Sequence, residues 1–337
     1  LELDSGPEHY ELGALSLTQV SVRDLAGSLT AQPPNLPLLW QSVQSLELAS
    51  GEVLRDSTEA FYLKRLFWET RPDREFQGGS SEDGAEEEPG PPLLVLTAEG
   101  IRLRPGMWLE AEPAGPAEAA FLEALGETAA GSLSLSWPLP DPKDPAARPV
   151  RTARLRLTAD NQGRFDLTLR ANPQLLENLI TSPSPLALVQ GTFGPGEVSF
   201  SDCTFLMLWA QALGRRTGQP PLEAVRDFAA PWWDNLETQG VFQNLFSLKA
   251  ESELFVQTPQ RAALAWQPPA GFPMAVILRL QKENPQALRS LLSQNKDEQM
   301  AIAKYFAYVI IKELNLTLAV NGRLPVLFQT VLPEPIS

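Results

Sequence analysis

Cysteine is almost absent from this 337-residue chain, in which Cys203 is the single example. One cysteine forms no intrachain disulfide, so we expect packing alone to stabilise the fold. The cysteine content therefore does not distinguish an oxidising compartment from a reducing one.

Histidine is equally scarce, because His9 is the only one in the sequence. It lies near the start of the sequence, where chains are least ordered, and this position disfavours histidine-based catalysis. The sequence also lacks a Gly-x-Ser-x-Gly elbow and a metalloprotease histidine pair. Hydrolysis by paired carboxylates stays open, since the 41 acidic residues offer many pairs whose separation the sequence does not show. We predict a non-enzymatic protein without catalytic residues or a cofactor.

Long apolar runs and an excess of positive charge are missing as well. The longest apolar stretches, near residues 203–213 and 300–311, are shorter than the ~20 residues that a membrane-spanning helix needs. The formal net charge of −14 gives no attraction for phosphate backbones, which argues against a nucleic-acid partner. Four arginines, Arg151, Arg154, Arg156 and Arg164, are instead expected to lie on one solvated strand face.

The compartment is left open by the sequence. It begins at Leu1, so a preceding targeting or anchoring segment stays an option. We expect the part present to be soluble, and either cytoplasmic or peripheral to a membrane.

Proline is abundant, with 31 residues, and this indicates many short helices and strands that end at prolines. We divide the chain into an N-terminal β-rich region (1–71), an acidic flexible loop (72–92) and a main α+β domain (93–337). The loop combines Gly, Pro and Ser with a run of carboxylates and has almost no apolar residue to anchor it. Its carboxylates lack the spacing and turn glycine of a cation loop, so we predict no metal site.

Alternation with a period of two is the commonest pattern along the chain. It predicts strands at residues 93–104, 132–137, 150–158, 164–170, 246–257, 262–267, 274–280 and 316–328. Asp160 to Gly163 and Asn321-Gly322 have the turn chemistry of hairpins. The stretch "QGTFGPGEVSF" (190–200) is also predicted to be a hairpin turn, since its proline and missing lysine do not suit a phosphate loop.

Helical spacing predicts helices that start near residues 117, 173, 203, 221, 285 and 298. Asn-Pro-Gln opens two of them, at residues 172–174 and 284–286. A repeated strand–helix unit is one interpretation, and recurrent use of an ordinary turn is the other. The predicted fold class is α+β, with a mainly antiparallel sheet packed by several amphipathic helices.

Cys203 follows Asp202 at the start of the densest apolar run in the sequence, "CTFLMLWAQAL". A helix start after an aspartate N-cap is compatible with a reactive thiolate. However, the residues from Phe205 to Trp209 are apolar, which predicts a helix buried on all sides, and burial raises the pKa of a thiol. We therefore interpret Cys203 as a core residue rather than a nucleophile.

Two adjacent tryptophans, Trp232 and Trp233, stand in "APWWDNLETQGVFQNLF". Adjacent side chains do not share one stripe of a helix, so one of them should contact another element, a ligand or a membrane surface. We predict that Trp232, Trp233 and Phe242 bind a ligand. The alternative is that both tryptophans pack in the core.

The stretch "RLTADNQGRFDLTLRANPQLLENLITSPSPLALVQGTFGPGEVSFSD" (156–202) orders strand, short helix, strand. It resembles the bacterial and cyanobacterial LmeA-like phospholipid-binding family (DUF2993), over about residues 90–325. Asn172 to Leu176 and Ser182-Pro183 stand where the family has a polar turn and a Ser-Pro segment, although "ANPQ" replaces its acidic turn residues. The resemblance implies a strongly curved sheet around a long helix, with an apolar groove for acyl chains.

Three classes of function follow, in this order. The first is a non-enzymatic lipid-binding or membrane-peripheral protein with an apolar groove, whose partner is a lipid or another hydrophobic ligand. The second is an assembly or scaffolding partner of a larger protein complex. The third is a hydrolase with paired carboxylates.

Overall fold

The computed structural model describes two compact units, Leu1–Ala114 with Leu125–Ser184 (unit 1) and Gly115–Ala124 with Pro185–Ser337 (unit 2). The described residues are 2–5, 8–20, 43–55, 58–73, 91–108, 115–139, 150–173, 192–240, 242–272, 276, 278, 282, 309 and 311–330. They form an α+β fold with mainly antiparallel strands, as the sequence predicts.

Unit 1 is built from antiparallel strands around one long strand, β8. Its described strands are β1 (Glu2–Ser5), β2 (Glu8–Leu12), β3 (Leu15–Val20), β4 (Val43–Leu48), β5 (Gly51–Arg55), β6 (Thr58–Leu63), β7 (Arg65–Pro72), β8 (Pro92–Leu103), β9 (Ala129–Pro138), β10 (Arg151–Ala159) and β11 (Gly163–Ala171). One edge of β8 pairs first with β7 and then with β6, and the other edge pairs with β9. The sheet continues from β7 to β4 and β3, from β6 to β5, β2 and β1, and from β9 to β10 and β11.

The hairpin between β10 and β11 confirms the turn predicted at residues 160–163. Asn161 has a φ of 58° in this turn, a left-handed conformation that asparagine tolerates better than most residues. The nine residues of β10 then pair in register with the nine of β11, from Arg151 opposite Ala171 to Ala159 opposite Gly163.

The guanidinium of Arg151 fastens the ends of four strands together. It donates to Asp73 after β7 (2.9 and 3.2 Å), to the carbonyl of Pro92 at the start of β8 (2.9 Å) and to that of Leu139 after β9 (2.8 Å). Its side chain is 1% exposed. Arg151 was expected on a solvated face with Arg154, Arg156 and Arg164, and this expectation was wrong for Arg151 alone: as an odd-numbered residue it points to the opposite side of β10 from Arg154 and Arg156.

Unit 2 places helices on a small antiparallel sheet. The sheet is β12 (Phe193–Ser201), β13 (Arg261–Trp266), β14 (Thr317–Val320) and β15 (Val326–Leu327), each paired with the next. The helices are α2 (Pro116–Leu125, its last residue in unit 1), α3 (Thr204–Thr217), α4 (Pro221–Gln239) and α5 (Leu245–Gln257), and a single turn, α1 (Pro105–Trp108), lies in unit 1. Helix α3 packs against α4, α4 against α5, and α5 against β14.

A buried cluster of small residues lets α2, α3 and α4 approach closely. Ala120, Ala210, Ala212, Leu213 and Ala224 form its centre. The indole N–H of Trp209 donates to the carbonyl of Ala117 (3.2 Å), which ties α3 to α2. Helix α3 was predicted to be buried on all sides, and this was wrong, because Met207 and Leu208 are exposed.

Most predicted elements are confirmed. Strands β8, β9, β10, β11 and β13 match predicted segments, and the segment 316–328 is the pair β14–β15 with its turn at Asn321-Gly322. The predicted helices near 117, 203 and 221 are α2, α3 and α4. Helix α4 continues through Pro231.

The segment 246–257 was predicted to be a strand and is the helix α5. Alternation placed Phe246 on the buried side, but Phe246 is 86% exposed while Leu248 is buried. The segment is rich in helix formers such as Lys249, Ala250 and Glu251, and Val256 is its sole β-branched residue. Local propensity therefore prevails over a short alternating pattern.

Two further predictions were wrong. The segment 274–280 was predicted to be a strand, but its described residues Val276 and Leu278 are helical. Val276 is buried and Leu278 exposed, as expected for positions two apart on a helix and not for two on one face of a strand. The predicted turn at 190–200 is largely strand β12, and its pairing with β13 starts at Gly196, just after Pro195, which has no N–H to donate.

Several predictions lie outside the described residues. These are the interior of the acidic loop (74–90), most of the helices near 173, 285 and 298, and therefore the second Asn-Pro-Gln unit. At the loop ends, Pro72 belongs to β7, the N–H of Asp73 donates to the carbonyl of Pro91 (2.9 Å), and Pro92 starts β8.

We predict that Arg151→Met lowers the free energy of unfolding of unit 1 by about 3 kcal/mol. The substitution leaves the Asp73 carboxylate and strand-end carbonyls without their buried donor, and losing one partner of a buried ion pair is strongly destabilising. Chemical denaturation followed by tryptophan fluorescence measures the change. The control is Arg156→Met, which removes an exposed ion pair with Asp166 and should cost less than about 1 kcal/mol. Equal losses for the two variants would contradict the role given to Arg151.

Candidate ligand-binding face

An apolar face extends across six neighbouring strands of unit 1. Because side chains alternate along each strand, the strand register sets which residues stand side by side. One row is Leu48, Leu66, Ala98, Leu133, Leu157 and Phe165, and the next is Leu46, Trp68, Leu96, Leu135, Leu155 and Leu167. We call these twelve residues the apolar face.

The apolar face is closed at one end and open at the other. At the β4–β7 end, Trp68 and Leu48 are buried in two clusters that also contain Leu139 and Leu63. At the β9–β11 end all six residues are large and apolar, yet none is buried, and Leu157 is 39% exposed. Large apolar residues that meet across strands in a sheet are normally covered, so the open end is the unusual feature.

On β9, β10 and β11 the opposite side of the sheet is polar. Ser134 and Ser136 on β9 and Arg154 and Arg156 on β10 stand there, with Asp166 on β11. The described part of unit 1 offers no helix longer than one turn to cover either side. Strands β9, β10 and β11 therefore present one apolar and one charged surface.

A buried donor lies within the apolar face. The indole Nε1 of Trp68 has no hydrogen-bond partner within the described part of the chain. Buried N–H groups are nearly always paired, so this donor is an exception at the closed end of the apolar face.

The three residues predicted to bind a ligand lie in unit 2, in three different surroundings. Trp233 lines a groove of 320 Å³ between α4 and α5, beside Val225 and Val256. Trp232 points away from it and is 71% exposed. Phe242 packs edge-on against Phe328 (ring centroids 5.5 Å apart), where residues 242 and 330 form an isolated bridge. The structure therefore does not bring the three side chains into one site.

Trp232 ends a line of aromatic side chains on the helices of unit 2. Phe121 contacts Phe205 (5.2 Å between centroids), and Trp209 contacts Phe228 (5.3 Å). Phe205 and Trp209 are four residues apart on α3, as are Phe228 and Trp232 on α4, so each pair shares a helix face. We call these five residues the aromatic row. Phe121, Phe228 and Trp232 are exposed.

Cys203 is half-buried and occupies the N-cap position of α3, where its side chain makes no capping hydrogen bond. Asp202, which was predicted to be the N-cap, instead precedes it with a φ of 53°. Burial, and then the negative charge of Asp202, raise the pKa of the thiol above its usual value. This is the opposite of what a thiolate nucleophile needs.

Two described carboxyl groups have a shifted pKa, and both shifts are downward. Arg215 and Arg216 lower that of Glu123. Burial raises the pKa of Asp166, but Arg156 and Arg164 outweigh it and leave the value lowered. A general acid at neutral pH needs a raised value, so these two carboxylates do not suit that role. No group of three or more potential metal ligands occurs among the described residues.

Sequence reasoning found part of the apolar face and missed the rest. The alternation on β9, β10 and β11 predicted half-buried strands, and that is confirmed. The residues on β4 and β7 were not singled out, although "LFWET" (66–70) shows the same alternation. The aromatic row needs contacts between helices distant in sequence, for which the sequence carries no signal.

We predict that Cys203 reacts slowly with iodoacetamide at neutral pH and faster as the pH rises, because the protein holds the thiol protonated. By linkage, this contribution to stability is present below the ordinary thiol pKa and is lost as the pH rises above it. Asp202→Asn removes the nearby charge, and asparagine also tolerates a positive φ, so the rate profile should move to lower pH. Asp234→Asn, on α4, is the control and should leave the profile unchanged. A fast reaction at neutral pH in the unaltered chain would contradict this prediction.

No known protein family and no curated protein matches the chain. Among the described helices, none has the length and apolarity needed to cross a membrane.

Proposed function

We propose that the chain is a non-enzymatic lipid-binding protein whose apolar ligand lies on the open end of the apolar face. The observation that carries the proposal is the set of six large apolar residues on β9, β10 and β11 that stand side by side and stay partly exposed. Fully burying one such side chain yields about 1.5–3 kcal/mol, so covering several of them with an acyl chain is favourable.

The rest of unit 1 supports the same ligand. The face lies on long strands whose register is continuous, so it offers an extended strip rather than a compact pocket. A sheet that curves strongly around the ligand, with several amphipathic helices beside it, belongs to this proposal, as the resemblance to the LmeA-like family implies.

We also propose that the aromatic row contacts a membrane surface. Exposed tryptophan and phenylalanine side chains partition into the interfacial region of a bilayer. The chain has a net charge of −14, so an anionic bilayer would repel it on average. Neutral bilayers are therefore the expected partner. An assembly partner remains the alternative occupant of this row.

Leu157→Asp should remove most of the lipid that copurifies with the chain, measured by native mass spectrometry. A carboxylate at an exposed position costs little in the free protein, but covering it with an acyl chain leaves an unpaired buried charge. Thr158→Asp places the same charge on the adjacent residue and the opposite side of β10, so it should keep its lipid. Both variants should melt within a few degrees of the unaltered chain. A clean unliganded mass for the unaltered chain would overturn the proposal.

Trp232→Ala should weaken association with neutral phosphatidylcholine vesicles, measured by cosedimentation, while the melting temperature changes little because the side chain is mostly exposed. Leu324→Ala is the matched control, since Leu324 is a similarly exposed apolar residue between β14 and β15. Equal vesicle binding by both variants would refute the membrane contact. Weaker binding of a protein partner by Trp232→Ala than by Leu324→Ala would instead support the assembly alternative.

A further inference from the structure

The polar side of the unit 1 sheet contains a pocket of 720 Å³ that is rich in arginine. Among the described residues, Arg71, Arg154 and Arg170 line it from this side of the sheet. The ion pair of Asp73 with Arg151, whose side chain points to the other side of β10, also borders it, so the described lining has a formal excess of three positive charges. The whole chain has a net charge of −14. Such a local reversal of sign, inside a concave site, is what an anionic ligand requires.

The strand register shows how the arginines are held. Arg154 stands on β10 between Ser136 on β9 and Thr168 on β11. Arg170 stands on β11 directly opposite Thr152. Arg154 and Arg170 are therefore diagonal neighbours on one face, a placement that separates Cα atoms by about 7–8 Å. Two guanidinium groups at this spacing suit the oxygens of one bound anion.

Three described carboxylates near the pocket are paired with arginine. Asp73 binds Arg151 (2.9 Å), Glu69 binds Arg71 (3.1 Å), and Asp166 binds both Arg156 and Arg164 (2.6 and 2.7 Å). The lining also has hydroxyl groups, from Ser134, Ser136 and Thr152, and five apolar residues, Pro72, Leu93, Val95, Leu135 and Val150. Guanidinium and hydroxyl donors around one concavity match the oxygens of a phosphoryl group.

We propose that this pocket binds a small molecule through a multiply charged phosphoryl group. Its volume lies within the range of small-molecule sites, so there is room for an organic part beyond the phosphoryl group. Arg154 and Arg170 stand on the opposite side of the sheet from the apolar face, although Leu135 of that face also borders the pocket, so the two proposed ligands use different side chains for recognition.

The test is calorimetric titration of the full chain with inorganic pyrophosphate at low ionic strength. Replacing both Arg154 and Arg170 by glutamine should weaken binding at least about tenfold, since each charge-assisted contact is strong. The matched control replaces Arg156 and Arg164, which stand on the same two strands and the same face but outside the pocket lining, by glutamine. It removes the same charge and should weaken binding less than about threefold, through screened long-range attraction alone.

Arg151 is left intact in both variants, because its removal is expected to destabilise unit 1. Vesicles containing phosphatidic acid form a second arm of the experiment. Binding that depends on Arg154 and Arg170 in either arm supports the proposal and identifies the source of the phosphoryl group as a soluble molecule or a lipid headgroup. Equal weakening by the two variant pairs, or no binding in either arm, would overturn it.

Discussion

The buried guanidinium of Arg151 is the interaction on which the arrangement of unit 1 depends. Strands β7, β8, β9 and β10 are distant in sequence and are joined by long connections, so their alignment needs a fixed point. Arg151 supplies it by donating to Asp73 and to the carbonyls of Pro92 and Leu139. A lysine has one compact ammonium in place of this planar fork and would not reach all these acceptors in the same geometry.

The alignment of these strand ends sets which residues meet across the sheet. A shift of one residue between β9 and β10 would move Leu133 and Leu135 to the side of Arg154 and Arg156. The apolar face and the arginine pocket therefore share one cause, which is the register between strands. Burying the Arg151 guanidinium costs free energy of desolvation. Its hydrogen bonds offset this cost and align the strand ends on which both surfaces depend.

The sequence predicted well where a pattern of period two coincided with β-forming residues, and poorly where it did not. Strands β9, β10 and β11 contain regular alternation bounded by turn residues. Both ends of β10 and β11 were predicted to within one residue, while β9 begins three residues earlier than predicted. Helix α5 has a similar alternation, but its residues favour a helix and it packs against β14. The alternation there led to a wrong prediction of a strand. The Arg151 contacts lay beyond prediction, because they join residues up to 78 positions apart and depend on strand ends that no local pattern marks.

The predicted ligand-binding residues were also chosen from a local pattern, which does not show contacts between distant parts of the chain. Trp232 and Trp233 were selected because adjacent tryptophans are unusual, and the structure separates them into an exposed position and a groove. The apolar face contains a single tryptophan and is not distinctive in the sequence, since each of its six strands contributes two apolar residues. Each strand shows only a short alternating pattern. The six patterns form one continuous apolar surface because the strands pair in register. The rare pair Trp232-Trp233 therefore indicates a binding surface less well than the common alternating patterns of several paired strands taken together.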